Sequence, residues 1–462
     1  MELRKYQTQA IEQLRIAYQR QYRSLLLEAP TGAGKTVIFS QICKNANQRG
    51  KRVLIVTDRL NLNDQTAEKL EAVGAGELTD VLTVQTAIRR VSSLPYYDII
   101  IVDEAHKKTF DNFIKKMRVQ HGPGFLLLGF TATPMRTGKT GALCEIYERI
   151  VSVTTIKDLI SLGYLVPAIT YGAPFDMGGV KMKGGDYDNA EMFQRFDETV
   201  LYNDVVNRYK THAPGKKAIC FCINVEHSKR TAQAFKAAGV RAAHLDGTAP
   251  PHERARVLSE FKTGRIEVLC NCDLYTTGFD EPSIQAVILN RATRSVPLFL
   301  QMCGRGSRPY TNKTKFIIID MGNNVFTCGF WQQERVFSLE PVKPAKPGIA
   351  PVKDCKNCGA IIPASATVCP HCGAVQPEKK KKVKIAGAFI ELDPGILERD
   401  PNEMTFNELE MYRKIKRNKE GNPYKFGWMV RVLIDRGDLE AFAAARNYSA
   451  GWIKKMNELY NN

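Results

Sequence analysis

Between Leu25 and Asp320, short apolar runs alternate with longer amphipathic stretches. The first five runs are Leu25–Ala29, Val53–Thr57, Asp80–Val84, Asp98–Ala105 and Phe125–Thr133. Five more follow: Lys217–Ile223, Arg241–Gly247, Glu267–Asp273, Ala286–Arg291 and Lys315–Asp320. Runs of this length read as strands and the stretches between them as helices, so the alternation predicts α/β structure with parallel sheets flanked by helices. A Gly-rich polar stretch, Gly172–Gly185, is poor in core-forming residues and separates the two sets. The expected division is one α/β lobe over residues 1–170 and a second over 171–338.

Beyond Leu339 the pattern changes. A Pro/Lys-rich spacer covers 339–352, a cysteine cluster 353–376, and a basic linker with a small helical domain 377–462. Helical spacing runs from Phe406 to Tyr460 and includes Trp428 and Trp452. Residues 341–462 hold 21 basic and 14 acidic side chains, so positive charge is denser there than in the rest of the chain. Tyr424, Trp428 and Trp452 either stack on bases exposed at a junction or fill the core of that domain.

A chain of 462 residues with 44% hydrophobic residues and mean hydropathy -0.27 has enough apolar matter for several cores, which excludes both a single small module and wholesale disorder. The formal charge of +18 favours a polyanionic partner such as nucleic acid. No apolar stretch reaches the ~18 residues that suggest a membrane span, and the start of the chain lacks the apolar segment of a secretion signal. The expected location is the cytoplasm, with no membrane partner.

The segment from Leu25 to Phe39 passes from an apolar strand through Ala29-Pro-Thr31-Gly32-Ala33-Gly34-Lys35-Thr36 into a helix. Small residues there let backbone N–H groups close around phosphate oxygens at a helix N-terminus. Lys35 reaches the β- and γ-phosphates, and the Thr36 hydroxyl can ligate Mg²⁺. Thr31, Gly32, Ala33, Gly34, Lys35 and Thr36 are therefore candidate ATP contacts. Asp103 and Glu104 close the apolar strand from Asp98, at the end where open α/β sheets bind ligands. In that position Asp103 would hold Mg²⁺ and Glu104 would orient and deprotonate the attacking water.

Cys355, Cys358, Cys369 and Cys372 form two C-x-x-C-G knuckles ten residues apart, the spacing of a tetrahedral four-thiolate zinc ribbon. His371, inside the second knuckle, reads as a surface residue rather than a ligand. The pairs Cys220-x-Cys222 and Cys270-x-Cys272 could bring four thiols together for a second metal, but core packing is the favoured reading. The run Lys379–Lys382 reads equally as a phosphate contact or a solvated linker.

With these residues in hand, the chain resembles the DEAH-box proteins of helicase superfamily 2, built on two RecA-like lobes. The motifs stand in that family's order over about residues 3–310. The resemblance implies adenine recognition by Leu3-Arg4-Lys5-Tyr6-Gln7, with Arg4 and Gln7 in nucleotide-binding positions. It implies first-lobe backbone contacts at 53–60 and 83–86, and a coupling motif at Phe130-Thr-Ala-Thr-Pro134. In the second lobe 220–230, 276–282 and 301–308 match the fourth, fifth and sixth motifs, with Gly278 and Asp280 beside the nucleotide and Asp280 at its ribose. Gln301, Arg305 and Arg308 belong to the sixth, and two arginines three apart at a helix start are the arginine-finger candidates. Met302 replaces the arginine of the commoner pattern.

Lobes followed by a cysteine ribbon and a basic tail look most like the RadD-type branch of bacteria and their phages, and Gly421–Trp428 is similar to phage-encoded tails. The implied function is an ATP-dependent DNA helicase or translocase in replication, recombination or repair, using ATP, Mg²⁺ and Zn²⁺ on single-stranded or branched DNA. RNA is not excluded by the residues, and replication or recombination proteins are candidate partners. The alternatives are an ATP-gated nucleic-acid-binding clamp or an RNA helicase that does not unwind DNA.

Overall fold

The computed structural model describes residues 3–58, 70–71, 74–136, 142–172, 179–197, 199–272, 279–340, 352–354, 361–363, 367–368, 373–375, 390–392, 394–418, 422–446 and 448–460. Cys355, Cys358, Cys369, Cys372, His371, Gly278 and the Lys379–Lys382 run lie outside these residues.

All ten apolar runs contain a strand. Among the described residues the first sheet holds six strands: β1 (Ser24–Glu28), β2 (Val53–Thr57), β3 (Thr79–Thr83), β4 (Ile99–Asp103), β5 (Leu126–Thr131) and β6 (Arg149–Ser152). Their spatial order is β3-β2-β4-β5-β1-β6, and every pairing is parallel. The uniform apolarity of β1, β2 and β4 has a direct cause. Helices cover both faces of a parallel sheet, so successive side chains that point to opposite faces are both buried. Leu26, Leu54, Val56, Ile100 and Val102 pack with Phe113 and Met117 of the helix Asp111–His121 on one side. Each such side chain contributes roughly 1.5–3 kcal/mol when fully buried.

Among the described residues the second sheet has seven strands, in the order β11-β12-β10-β13-β14-β7-β17. They are β7 (Ala168–Gly172), β10 (Ala218–Cys222), β11 (Ala242–Leu245), β12 (Val268–Asn271), β13 (Ala286–Asn290), β14 (Phe316–Asp320) and β17 (Ile390–Leu392). β7 precedes the Gly-rich stretch yet belongs here, so the second sheet begins at Ala168 and not after residue 170. The Gly-rich stretch itself is no bare linker. It contains the strand β8 (Met182–Lys183), which pairs with β9 (Asp186–Tyr187) just beyond it, and Asp186 accepts from Thr293 Oγ1 and from the Arg294 N–H at 2.7 Å.

Residues 331–340 form a strap over both lobes. Trp331 is buried edge-on against Phe316 at 5.2 Å, while Leu339 packs on the first-lobe core and its carbonyl accepts from Cys144 N at 3.1 Å. The two lobes and this strap make one compact unit. A second unit comprises 170–179, 320–330 and 344–462. Its described part includes the antiparallel pair β15 (Val352–Asp354) and β16 (Ile361–Pro363) and the helices Phe406–Ile415, Phe426–Asp435, Leu439–Ala445 and Ala450–Tyr460. Leu409, Ile415, Met429, Val430, Leu433 and Phe442 are their core.

Candidate nucleotide and catalytic site

The C-terminal ends of β1, β4 and β5 meet, because these strands are neighbours in the order β4-β5-β1. The loop after β1 is held by Ala29 N donating to Thr131 O at 2.9 Å and by Ala33 N donating to Pro30 O at 2.9 Å. Gly34, at φ 78°, caps the helix Lys35–Asn47 in a left-handed conformation that turns the chain into its first turn. Lys35 and Thr36 thus stand at a helix N-terminus, where backbone N–H groups without helical partners suit an anion.

The helix Lys5–Gln19 braces this loop from behind. Tyr6 Oη and Gln7 Nε2 both donate to Ala33 O, at 2.8 and 3.0 Å, and Gln7 Oε1 accepts from Arg4 N at 3.0 Å. The Gln7 amide expected to face adenine therefore ties the phosphate loop to its own helix start, leaving capacity for one further donor and one further acceptor contact. Arg4 lies 3.9 Å above the ring of Tyr164.

Asp103 ends β4 and accepts from Glu104 N at 3.0 Å. Glu104 follows at φ 52°, a left-handed conformation costing about 1–2 kcal/mol for a residue with a Cβ. That turn aims its carboxylate inward, 3.5 Å from Lys35 Nζ, and Gln301 Nε2 donates to it at 3.1 Å. Burial, then the charge of Glu104, pushes Asp103 up to about 6. Burial acts on Glu104 too, but Lys35 and the other cations around it outweigh it and hold this carboxyl below its ordinary value. Two adjacent buried carboxylates that disfavour joint ionisation are a donor set suited to a divalent cation. Thr36 and Asp103 are the side chains that would hold Mg²⁺.

Behind the acidic pair, burial pushes His106 down to about 4, so the ring is neutral at pH 7, and its Nδ1 is 2.9 Å from Thr131 Oγ1. A second link was not foreseen from sequence. The Arg136 guanidinium is buried and donates to Ala105 O at 3.2 Å, His106 O at 2.7 Å and Lys107 O at 3.1 Å, and to both Asp111 oxygens at 2.8 and 2.9 Å. Arg136 stands two residues after the Phe130–Pro134 motif. That proximity is its only sequence signal, since its partners are mostly backbone carbonyls.

The second lobe supplies the helix Val296–Gly304, capped by Ser295 Oγ, which accepts from Leu298 N at 3.3 Å. Arg305 and Arg308 follow this helix, so the expectation that they lie at a helix start is corrected. Ser295 with Pro297 at the first turn starts the helix earlier, and the chain leaves it after Gly304. A Cβ on Gly304 would come 2.6 Å from Thr31 Cγ2, so glycine lets this helix sit directly on the phosphate loop. Arg305 donates to Phe279 O, and burial lowers its pKa to about 10, leaving it cationic. Arg308 lies 3.6 Å from Asp280, with Gly32 close to its Nε.

The geometry brings Lys35, Glu104, Gln301 and Arg305 together around one point, with Arg308 at the loop's rim; Asp280 faces Arg308 and is mostly exposed. Cys220, Cys222 and Cys270 are fully buried in the second sheet, with Cys220 and Cys222 Sγ 3.8 Å apart, whereas Cys272 donates to Ile223 O.

A phosphate loop and an acidic pair in one parallel-sheet lobe, faced by glutamine and arginine from a second, define a two-lobed nucleoside triphosphatase. Residues 1–93 match the family model for the res subunit of type III restriction enzymes, and residues 200–309 match that of the helicase conserved C-terminal domain. A 51.5 kDa protein of a Lactococcus phage is 30% identical over 456 residues, covering 94% of this chain and 95% of its own. A putative ATP-dependent helicase of Saccharomyces cerevisiae is 28% identical over 359 residues, covering 69% of this chain, which spans about half (51%) of the yeast protein. A fragment of a putative HsdR subunit of a type I restriction enzyme from Vibrio vulnificus shares the fold at TM-score 0.53 and 19% identity, covering 71% of this chain and 67% of that one. The chain belongs to superfamily 2 of the ATP-dependent helicases.

Proposed function

We propose that this protein is an ATP-dependent DNA translocase or helicase of the RadD-like, DEAH-box type, acting in the cytoplasm in replication, recombination or repair. The observation that carries the reading is the Gln301–Glu104 hydrogen bond, since a second-lobe side chain reaches the water-activating carboxylate of the first. Lys35 and the loop N–H groups hold the β- and γ-phosphates, and Glu104 takes the proton from the attacking water. Arg305 and Arg308 face the charge that develops on the transferred group. Magnesium, when bound, screens the phosphate charge. Because the donors come from both lobes, ATP favours their closure and hydrolysis weakens it, and alternating grip on the strand backbone turns that cycle into movement. A passive ATP-gated clamp would have no use for a carboxylate oriented on water.

The tail deepens this reading. Cys355, Cys358, Cys369 and Cys372 bind one Zn²⁺, and the ribbon with its basic surroundings directs the motor to branched or single-stranded DNA. Steady-state ATPase and strand-displacement assays on single-stranded, duplex, forked and four-way DNA, with RNA counterparts, test the proposal. Stimulation by DNA is the expected result, and stimulation by RNA alone would make the protein an RNA helicase.

A further inference from the structure

In the C-terminal unit the described residues 416–418 and 422–425 lie between the helix Phe406–Ile415 and the helix Phe426–Asp435 and pair with each other. Arg417 bridges Pro423, Asn418 N donates to Asn422 O at 2.8 Å, and Asn422 N donates to Asn418 Oδ1 at 2.9 Å. This pairing delivers Tyr424 onto Trp428. Tyr412 stacks on the indole with centroids 5.5 Å apart and planes 20° apart, and Tyr424 stacks on it at 4.8 Å and 29°. The three rings form one pile. Tyr412 is buried at one end beneath Lys416, whose Nζ is 5.6 Å from the ring centroid. Tyr424, half-buried, is the other end.

Of the two tryptophans named as candidate base contacts, Trp428 is half-buried with two tyrosines stacked on it, and Trp452 is core, packed on Tyr448 at 4.4 Å. Tyr424 alone presents the end of a pile. Between Arg413 and Lys425 the sequence holds six basic residues and one acidic residue, of which Arg413 and Lys414 pair with Glu410 at 2.5 and 2.8 Å. Several are fixed: Arg417 donates to the carbonyls of Lys414, Ile415 and Thr327, and Lys416 to that of Leu397. Lys425, next to the ring, is exposed.

We infer that Tyr424 is a stacking platform for an unpaired base of single-stranded DNA, with the surrounding cations meeting the adjoining phosphates. The chemistry selects that occupant. Every base has a π-face, so a pre-stacked ring extends base stacking without reading sequence, and positive charge beside it suits a phosphate backbone rather than a cationic peptide. A paired base offers no free face, which restricts the platform to single strands and junctions. The inference rests on the nucleic-acid-binding reading above.

The test compares binding of the full-length protein to a thymidine oligonucleotide and to an abasic strand of equal length, which keeps the phosphates and lacks the bases. The native protein should prefer the base-bearing strand. Tyr424→Ala should reduce affinity for that strand at least about fivefold and leave abasic binding unchanged, while Tyr424→Phe keeps the preference. A far-UV circular dichroism spectrum and thermal transition matching the native protein's show that the variant is folded. A 2-aminopurine placed in the strand should be quenched by the native protein more than by Tyr424→Ala. Equal affinity for the two strands, or equal loss on both in Tyr424→Ala, overturns the platform alone. Binding of neither strand would overturn the nucleic-acid reading with it, and capture of a peptide in place of DNA would make the pile a protein-docking site.

Discussion

Gln301 Nε2, on the second lobe, donates to Glu104 Oε2, on the first, across 3.1 Å. The bond fixes the carboxylate proposed to activate water, and a hydrogen bond to a charged group of this kind is worth about 1.5–3 kcal/mol. Gln301→Ala should therefore lower ATP turnover about 10- to 100-fold with little change in nucleotide binding. Gln301→Glu should be worse, because a second carboxylate would raise the pKa of Glu104 and remove its negative charge. Single-turnover hydrolysis beside fluorescent-ATP binding separates the two effects, and equal turnover in both variants would refute the positioning role.

Lys35 and Glu104 separate binding from chemistry. Lys35→Ala removes the cation at the phosphate loop and should reduce hydrolysis by about 10²–10³-fold while DNA binding stays measurable on other basic surface. Glu104→Gln keeps shape and the left-handed turn but loses the base, so ATP should bind and not turn over, and the closed, DNA-gripping state should accumulate. Near-normal ATPase in either variant removes that residue from its assigned role.

Arg136 satisfies three consecutive carbonyls after Glu104 and the carboxylate of Asp111. Arg136→Ala would leave those acceptors and Asp111 buried without their donor, a loss of about 3–5 kcal/mol. The expected result is a clear fall in the melting temperature of the lobes. Arg136→Lys, able to serve only some of the acceptors, should lie between. An unshifted thermal transition in Arg136→Ala would mean the loop repacks without it.

The strands and the phosphate loop were legible because their signal is local: an apolar run buried on both faces and a Gly-Ala-Gly-Lys-Thr turn need no distant partner. β17 was not, since three residues at 390–392 become a strand only by pairing antiparallel with Thr170–Gly172. Arg136 was invisible for a similar reason, its partners beside Asp111 being backbone carbonyls that any residue could supply. The placement of Arg305 and Arg308 was misread although the signal existed. Ser295 and Pro297 mark a helix start upstream of both arginines.

The zinc proposal yields a metal count. Elemental analysis should find one zinc per chain, and Cys355→Ser should release it and unfold the ribbon, because small ribbons fold on their metal. ATP hydrolysis should persist, since the strap ending at residue 340 closes the two-lobe unit before the cysteines begin. Two zinc ions would revive a site at Cys220, Cys222, Cys270 and Cys272; none would remove both.

Deleting 341–462 decides whether the tail targets the motor. The described site residues lie before Pro309, and the strap ending at Glu340, including the Leu339 carbonyl that accepts from Cys144 N, is retained. Hydrolysis should survive. The structure adds a cost. The helix Asn324–Cys328 loses the helix Phe406–Ile415, with Lys414 over Phe326 at 5.5 Å and Arg417 bonded to Thr327 O at 3.1 Å, so the fragment exposes apolar surface and should be less soluble. With it go +7 of charge and the Tyr424 pile. Binding to forked or branched DNA should therefore weaken more than binding to a plain single strand, and its salt dependence should flatten because fewer phosphates are neutralised. Titrating both substrates at several salt concentrations reads this directly: equal loss on the two makes the tail a general phosphate anchor, and no loss on either makes it a protein-docking module.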